Sequence, residues 1–158
     1  MLPRRQEHDA FQPNVRIAPF PLPRFGFRAG GMNNLLLVMG GGAVGSALRY
    51  LLGRLAGHML PGAAWPWGTF AANLLGGLAM GLLAGWLARF STVSGEPVRL
   101  LLGVGLLGGF TTFSSFSLET MLMIERGQMA MALGYALFSV VCAVGALAGG
   151  LMFMRSVA

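Results

Sequence analysis

Five hydroxyls and three phenylalanines alternate over ten residues, in Gly-Gly-Phe-Thr-Thr-Phe-Ser-Ser-Phe-Ser at 108–117. The hydroxyls are Thr111, Thr112, Ser114, Ser115 and Ser117, and the rings are Phe110, Phe113 and Phe116. A helix that meets only lipid has no use for so many hydroxyls. Glycine permits non-helical backbone, so Gly108-Gly109 predicts a break. Broken backbone at membrane depth is tolerated where it is buried in protein or lines a wet cavity. The run therefore reads as lining a path or holding an ion. The plainer alternative is a kinked helix whose Ser and Thr bond back to carbonyls one turn earlier, and whose small residues pack helices.

Other polar side chains stand in apolar surroundings. Thr69 and Asn73 are four apart, hence on one helical face. The Asn73 amide offers two donors, which an anion path needs, or it bonds a neighbouring helix. Glu119 follows Phe116 by three residues and is the one acid well inside a span. An intramembrane acid is functional by default, unless it reaches water from near a helix end. Arg49 near the end of the first span either snorkels or supplies a vestibule charge that attracts anions. Tyr135 and Ser139 share a face four residues apart.

The elements that must position these groups follow from composition. The chain has 158 residues, 55% hydrophobic and 10% charged, with mean hydropathy +0.68. A soluble domain carries roughly 25% charged residues. The composition is that of an integral membrane protein, expected to be all-α and multi-pass, in the inner membrane. Apolar segments at 34–54, 67–88, 98–124 and 128–154 each reach the roughly 20 residues a span needs. The third is expected to break at 108–110. Short turns between them predict a four-helix bundle over 34–158. Three glycine patterns mark close-packing faces: Gly41 with Gly45, Gly77 with Gly81 and Gly85, and Gly145 with Gly149. Trp65 and Trp67 fit an interfacial belt, and His58 reads as a loop histidine in a turn over 58–66.

Residues 1–33 differ, with five prolines and five arginines. They are expected to be a disordered cytoplasmic tail that touches anionic lipid, and Met32 is an alternative start. All eleven basic residues are arginine, and net charge is +6. The charge lies on a tail and loop ends, not on one face, so it is topology information and not a nucleic-acid footprint. Setting the tail aside, Arg89, Arg99 and Arg155 on one side face Arg54 and Arg126, with Arg49 nearby, on the other. That near balance predicts insertion in both orientations, and an antiparallel dimer; the tail would tip the chain to N-terminus inside. Cys142 is alone and makes no internal disulfide. The glycines at 40–42 follow no strand, and no serine, histidine and acid are spaced as a triad, so the chain is not expected to be an enzyme.

Taken in order, four stretches resemble the CrcB/Fluc family of fluoride channels: Gly-Ala-Val-Gly-Ser-Ala-Leu-Arg-Tyr at 42–50, Gly-Thr-Phe-Ala-Ala-Asn at 68–73, the 108–117 run with Glu119 behind it, and Tyr135 with Ser139. The resemblance spans residues 34 to about 155; the arginine-proline tail has no counterpart in it. It implies a dual-topology homodimer of two oppositely oriented four-helix subunits, with a homologous chain as the other conceivable partner. Two fluoride pores would follow the subunit interface. Phe113 and Phe116 would present ring edges to the ion, and Asn73 its amide. Ser114, Ser115, Tyr135 and Ser139, with Thr112 nearby, would supply a polar track. Gly108 and Thr111 would hold a structural sodium ion through backbone carbonyls. Arg49 and Glu119 would stand in the vestibules.

The physics agrees. Fluoride is small and strongly hydrated, so a pore must replace water's donors, and hydroxyls and an amide do so. An aromatic edge is positive and can face an anion. The activity implied is passive export of cytoplasmic fluoride down its electrochemical gradient, which limits fluoride toxicity. A proton-coupled small-anion exporter using Glu119 is the runner-up, and a non-transporting assembly protein the third class. Small multidrug transporters share the four-span plan but depend on a glutamate in the first span, where this chain has none.

Overall fold

The computed structural model describes residues 29–90 and 95–157, and the tail up to residue 28 lies outside them. Within that range the chain is helical. Helix α1 is Ala29–Met59 and α2 is Trp67–Phe90. The third span is composite: a turn, α3, at Gly95–Val98; a π-helical segment at Arg99–Leu107; a further turn, α4, at Gly108–Phe110; and α5 at Phe113–Glu125. Helix α6 is Met129–Ser156.

Four segments are long and apolar enough to cross a membrane: Gly31–Met59, Trp67–Arg89, Gly95–Glu125 and Met129–Ser156. Large apolar side chains cover their outer faces, among them Leu137, Val141 and Met152. In water that surface would be untenable; in lipid it is required. The first helix outruns its expected end at Arg54, and His58 sits exposed on its last turn, not in a loop.

The bundle is two tightly packed pairs. Helix α2 packs most extensively on α6, and α1 on the π-helical segment and α4. Glycine makes both contacts possible. A Cβ on Gly45 would fall on the Leu106 carbonyl oxygen, and one on Gly81 on the Leu147 carbonyl oxygen. Without hydrophobic exclusion from lipid, such backbone-to-backbone approach is what holds membrane helices together. The third glycine pair is different. Gly145 and Gly149 have open space around them, and Gly150, one position on, meets the Leu78 carbonyl instead. The spacing showed a small-residue face on α6, but a different stripe meets α2.

The third span departs most from expectation. Gly108 has helical dihedrals (φ −63°, ψ −36°), as part of α4. The extended residues are Thr111 (φ −79°, ψ 158°) and Thr112 (φ −151°, ψ 124°). Threonine is stiff at χ1 and suits extended backbone, and a Thr before a helix accepts an amide of its first turn. The glycines serve packing: a Cβ on Gly109 would come within 2.6 Å of the Gly42 carbonyl oxygen. The nine-residue π-helical segment was not foreseen, and π geometry concentrates at functional sites.

Gly45→Ala and Gly81→Ala each set a methyl against a backbone carbonyl, and overpacking costs about 1–3 kcal/mol. Both variants should show a lower thermal midpoint in detergent. Gly40→Ala, which meets nothing within 4 Å, should match or exceed the parent.

Candidate functional site

The interruption in the third span leaves backbone groups that need partners, and side chains from three spans provide them. At the C-terminal end of α4, the Leu107 carbonyl accepts from both the Thr111 amide (3.0 Å) and the Thr111 hydroxyl (2.9 Å). The Gly109 carbonyl accepts from Arg49 Nε at 3.2 Å. A cation at the carbonyl end of a helix also complements its dipole. Arg49 therefore reaches from α1 onto the break as well as lining a cavity.

Asn73 grips Thr112 at two points. Its Nδ2 donates to the Thr112 carbonyl (3.0 Å), and its Oδ1 accepts the Thr112 amide (2.8 Å). The side chain thus imitates a neighbouring backbone strand. One of its two amide hydrogens remains for another acceptor. Thr112 in turn caps α5: its Oγ1 accepts the Ser115 amide at 3.2 Å.

The five hydroxyls of the run divide into two sets. Thr111 and Ser117 bond back to carbonyls four residues earlier, as the plainer reading of this stretch foresaw. Thr112, Ser114 and Ser115 do not. Thr112 Oγ1 lies 3.2 Å from Ser114 Oγ and donates to Ser115 Oγ at 3.3 Å.

Two cavities meet at this cluster. One, of about 400 Å³, is lined by Asn73, Thr111, Thr112, Phe113, Phe116 and Ser139, with apolar groups completing its wall. Ser139 is buried, 5% exposed, and its hydroxyl stands beside the Tyr135 phenol without a well-formed hydrogen bond. A buried hydroxyl so weakly held can turn its donor towards a small polar guest in the cavity. Phe113 is 78% exposed and its ring centroid is 5.6 Å from that of half-buried Phe116, which is 5.3 Å from Tyr135. The second cavity, of about 520 Å³, is lined by Ser46, Arg49, Arg54, Thr112, Ser115 and Glu119. Thr112 borders both.

Glu119 is not a lone carboxylate at a helix end. Oε1 accepts from the Thr69 hydroxyl at 2.6 Å, and Oε2 from the Tyr135 hydroxyl at 2.8 Å. Each carboxyl oxygen thus takes one short hydrogen bond. The two bonds tie α2, α5 and α6 together at one level, beneath an aromatic cluster in which Trp65 stands edge-on to Tyr135 at 5.3 Å. Tyr135 is fully buried. It lines neither cavity and meets the site through Glu119 and the Phe116 ring.

The twelve residues singled out from sequence fall into one region, in separate roles. Asn73, Thr111, Thr112, Phe113, Phe116 and Ser139 share the first cavity; Arg49, Ser115 and Glu119 join Thr112 at the second. Ser114 is exposed but bonded to Thr112, and Gly108 is exposed at the helix end. Thr69, Ser46 and Arg54 were missed as site residues. Thr69 had a signal, its place one turn before Asn73. Ser46 and Arg54 lie three before and five after Arg49, and only the packing of α1 on the third span brings them to the cavity.

Comparison with known proteins adds an independent observation. Residues 36–151 match the family described as CrcB-like protein, Camphor Resistance (CrcB). The chain is 54% identical over 126 residues to a protein of Caulobacter vibrioides named fluoride-specific ion channel FluC, covering 80% of this chain and 98% of that one. It is 58% identical over the same length and coverage to the protein of that name from Phenylobacterium zucineum. The match to its namesake in Novosphingobium aromaticivorans is 56% over 119 residues, 75% of this chain and 93% of that one.

Tyr135→Phe and Thr69→Val each remove one hydroxyl from Glu119, and each should destabilise the protein by about 1–3 kcal/mol. A double-mutant cycle in a denaturant titration should show non-additivity of about 0.5–3 kcal/mol, since both act on one carboxylate.

Proposed function

The chain belongs to the CrcB family, and from that membership and the site above we propose that it is a fluoride-selective channel that conducts passively. The relatives are named as ion channels, which places the chain with channels and not with enzymes. The observation that carries the reading is the first cavity. There the remaining Asn73 donor and the Ser139 hydroxyl line the same cavity as the rings of Phe113 and Phe116. These are the groups that can replace the hydration of a small, hard anion without a fixed positive charge. The coupled-exporter alternative finds no support among the relatives.

The protein is a multi-pass protein of the inner membrane. Hydrogen fluoride is neutral and crosses membranes, and in a near-neutral cytoplasm it dissociates and traps the anion. A passive pore lets fluoride leave, aided by an inside-negative potential. Arg49 and Arg54 at the second cavity raise the local anion concentration at its mouth. Fluoride then passes the hydroxyls of Ser115 and Thr112 towards the rings and Ser139.

The working assembly is an antiparallel dimer of two copies, with the pores along their interface. Exposed Phe113 and Gly108 both belong to the surface that a second copy would cover. The Gly108 and Thr111 carbonyls of each copy would hold a structural sodium ion between the two. The residues fit such an ion. In an unbroken helix those two carbonyls would accept the amides of Thr112 and Ser115, and here both amides are turned to side-chain oxygens. Sodium would supply a central positive charge that makes the pore surroundings hospitable to anions.

Purified protein in liposomes should release fluoride under a gradient when a potassium ionophore balances charge, and should release no chloride. Release that ignores membrane voltage but follows a pH gradient would overturn passive conduction. Phe113→Ile and Phe116→Ile should each slow fluoride release about tenfold or more in protein that still elutes as the folded dimer, because an aliphatic group offers no positive edge.

A further inference from the structure

A carbonyl inside a helix is already bonded, so a cation site made of helix carbonyls needs something that keeps them open. We propose that Asn73 and Thr112 are the positioning residues that create the sodium site, each by withdrawing one amide from one carbonyl. The inference rests on the sodium reading above and assigns these two side chains a task distinct from contact with fluoride.

The pairing is one to one. The amide due to the Gly108 carbonyl is that of Thr112, four residues on, and it donates to Asn73 Oδ1 at 2.8 Å. The amide due to the Thr111 carbonyl is that of Ser115, and it donates to Thr112 Oγ1 at 3.2 Å. The intervening Gly109 carbonyl accepts from Arg49 Nε. Four carbonyls around the break thus differ: Leu107 is doubly bonded within its own turn, Gly109 is held by an arginine, and Gly108 and Thr111 have lost the amides a continuous helix would give them. The arrangement also fixes direction. Asn73 Nδ2 holds the Thr112 carbonyl at 3.0 Å, which locks the extended dihedrals that turn the Thr111 carbonyl off the helix axis. Open carbonyls held in place before the ion arrives avoid the reorganisation that weakens binding.

The test measures sodium itself and not conduction. The thermal midpoint of the detergent-solubilised dimer is followed as sodium replaces N-methylglucamine at constant ionic strength. The unmodified protein should gain stability with sodium, as a ligand bound only by the folded form requires. Thr112→Ser keeps the acceptor and should keep the sodium midpoint. Thr112→Val leaves the Ser115 amide without its acceptor, loosens the extended turn and should raise the midpoint about tenfold or more, the usual effect of losing a group that orients a metal ligand. An unchanged midpoint in folded Thr112→Val overturns the inference while leaving the sodium site standing. An unmodified protein with no sodium response overturns the sodium reading itself. Should the valine variant not fold, hydrogen exchange of the unmodified protein decides: the Thr112 and Ser115 amides should be protected equally with and without sodium. Free exchange of either amide in the absence of sodium would show that no side chain holds it.

Discussion

In a hydrocarbon medium every backbone amide and carbonyl must find a partner inside the protein, and that rule shapes the third span. Two residues leave helical geometry there, at Thr111 and Thr112. Their amides and the neighbouring carbonyls cannot turn to solvent as they would on a soluble surface. Asn73 from α2, Arg49 from α1 and the threonines themselves take up the strain of that requirement. The break is held open by hydrogen bonds from neighbouring spans, so it is a built feature and not a loose joint.

Because the partners come from other helices, those helices must approach closely. Glycine at Gly45 lets α1 lie against the third span, carbonyl to helix, and brings Arg49 one turn later to the Gly109 carbonyl. Glycine at Gly81 does the same for α2 and α6, the helices that carry Asn73 and Ser139 to the first cavity. Packing and site are therefore one arrangement: a methyl at either glycine disturbs the distance on which the polar contacts depend. Glu119 adds a second cross-brace, through Thr69 and Tyr135, at another level of the same bundle.

An anion path in such a bundle needs donors without a buried excess of charge. The arginines sit at the second cavity, while the first is walled by rings, an amide and hydroxyls. In the proposed path, charge would gather the ion at the mouth and neutral donors would take it inside, where a fixed guanidinium would bind it too tightly to let it go. Phe113 and Gly108 are both exposed on the third span, and the proposed second copy would cover them.

Much of this was legible in the chain. Four apolar runs determine four membrane helices, because hydrophobic length is a one-dimensional property. The hydroxyl and phenylalanine alternation marked the third span as special, since lipid gives no reward for five hydroxyls. Other features were decided only by tertiary contacts. The break fell at Thr111 and Thr112 and not at Gly108-Gly109, because α1 takes up the glycines for close packing while Asn73 reaches the Thr112 backbone. Glycine spacing on α6 did not reveal which stripe would meet α2; Gly150 does, and Gly145 and Gly149 do not. Glu119 read as a functional intramembrane acid or as one reaching water near a helix end, and only the meeting of three spans makes it the acceptor of two hydroxyls. Sequence determined which groups must avoid lipid; the fold determined which of them meet, because hydrogen bonds join residues 39 to 60 positions apart that no local pattern connects.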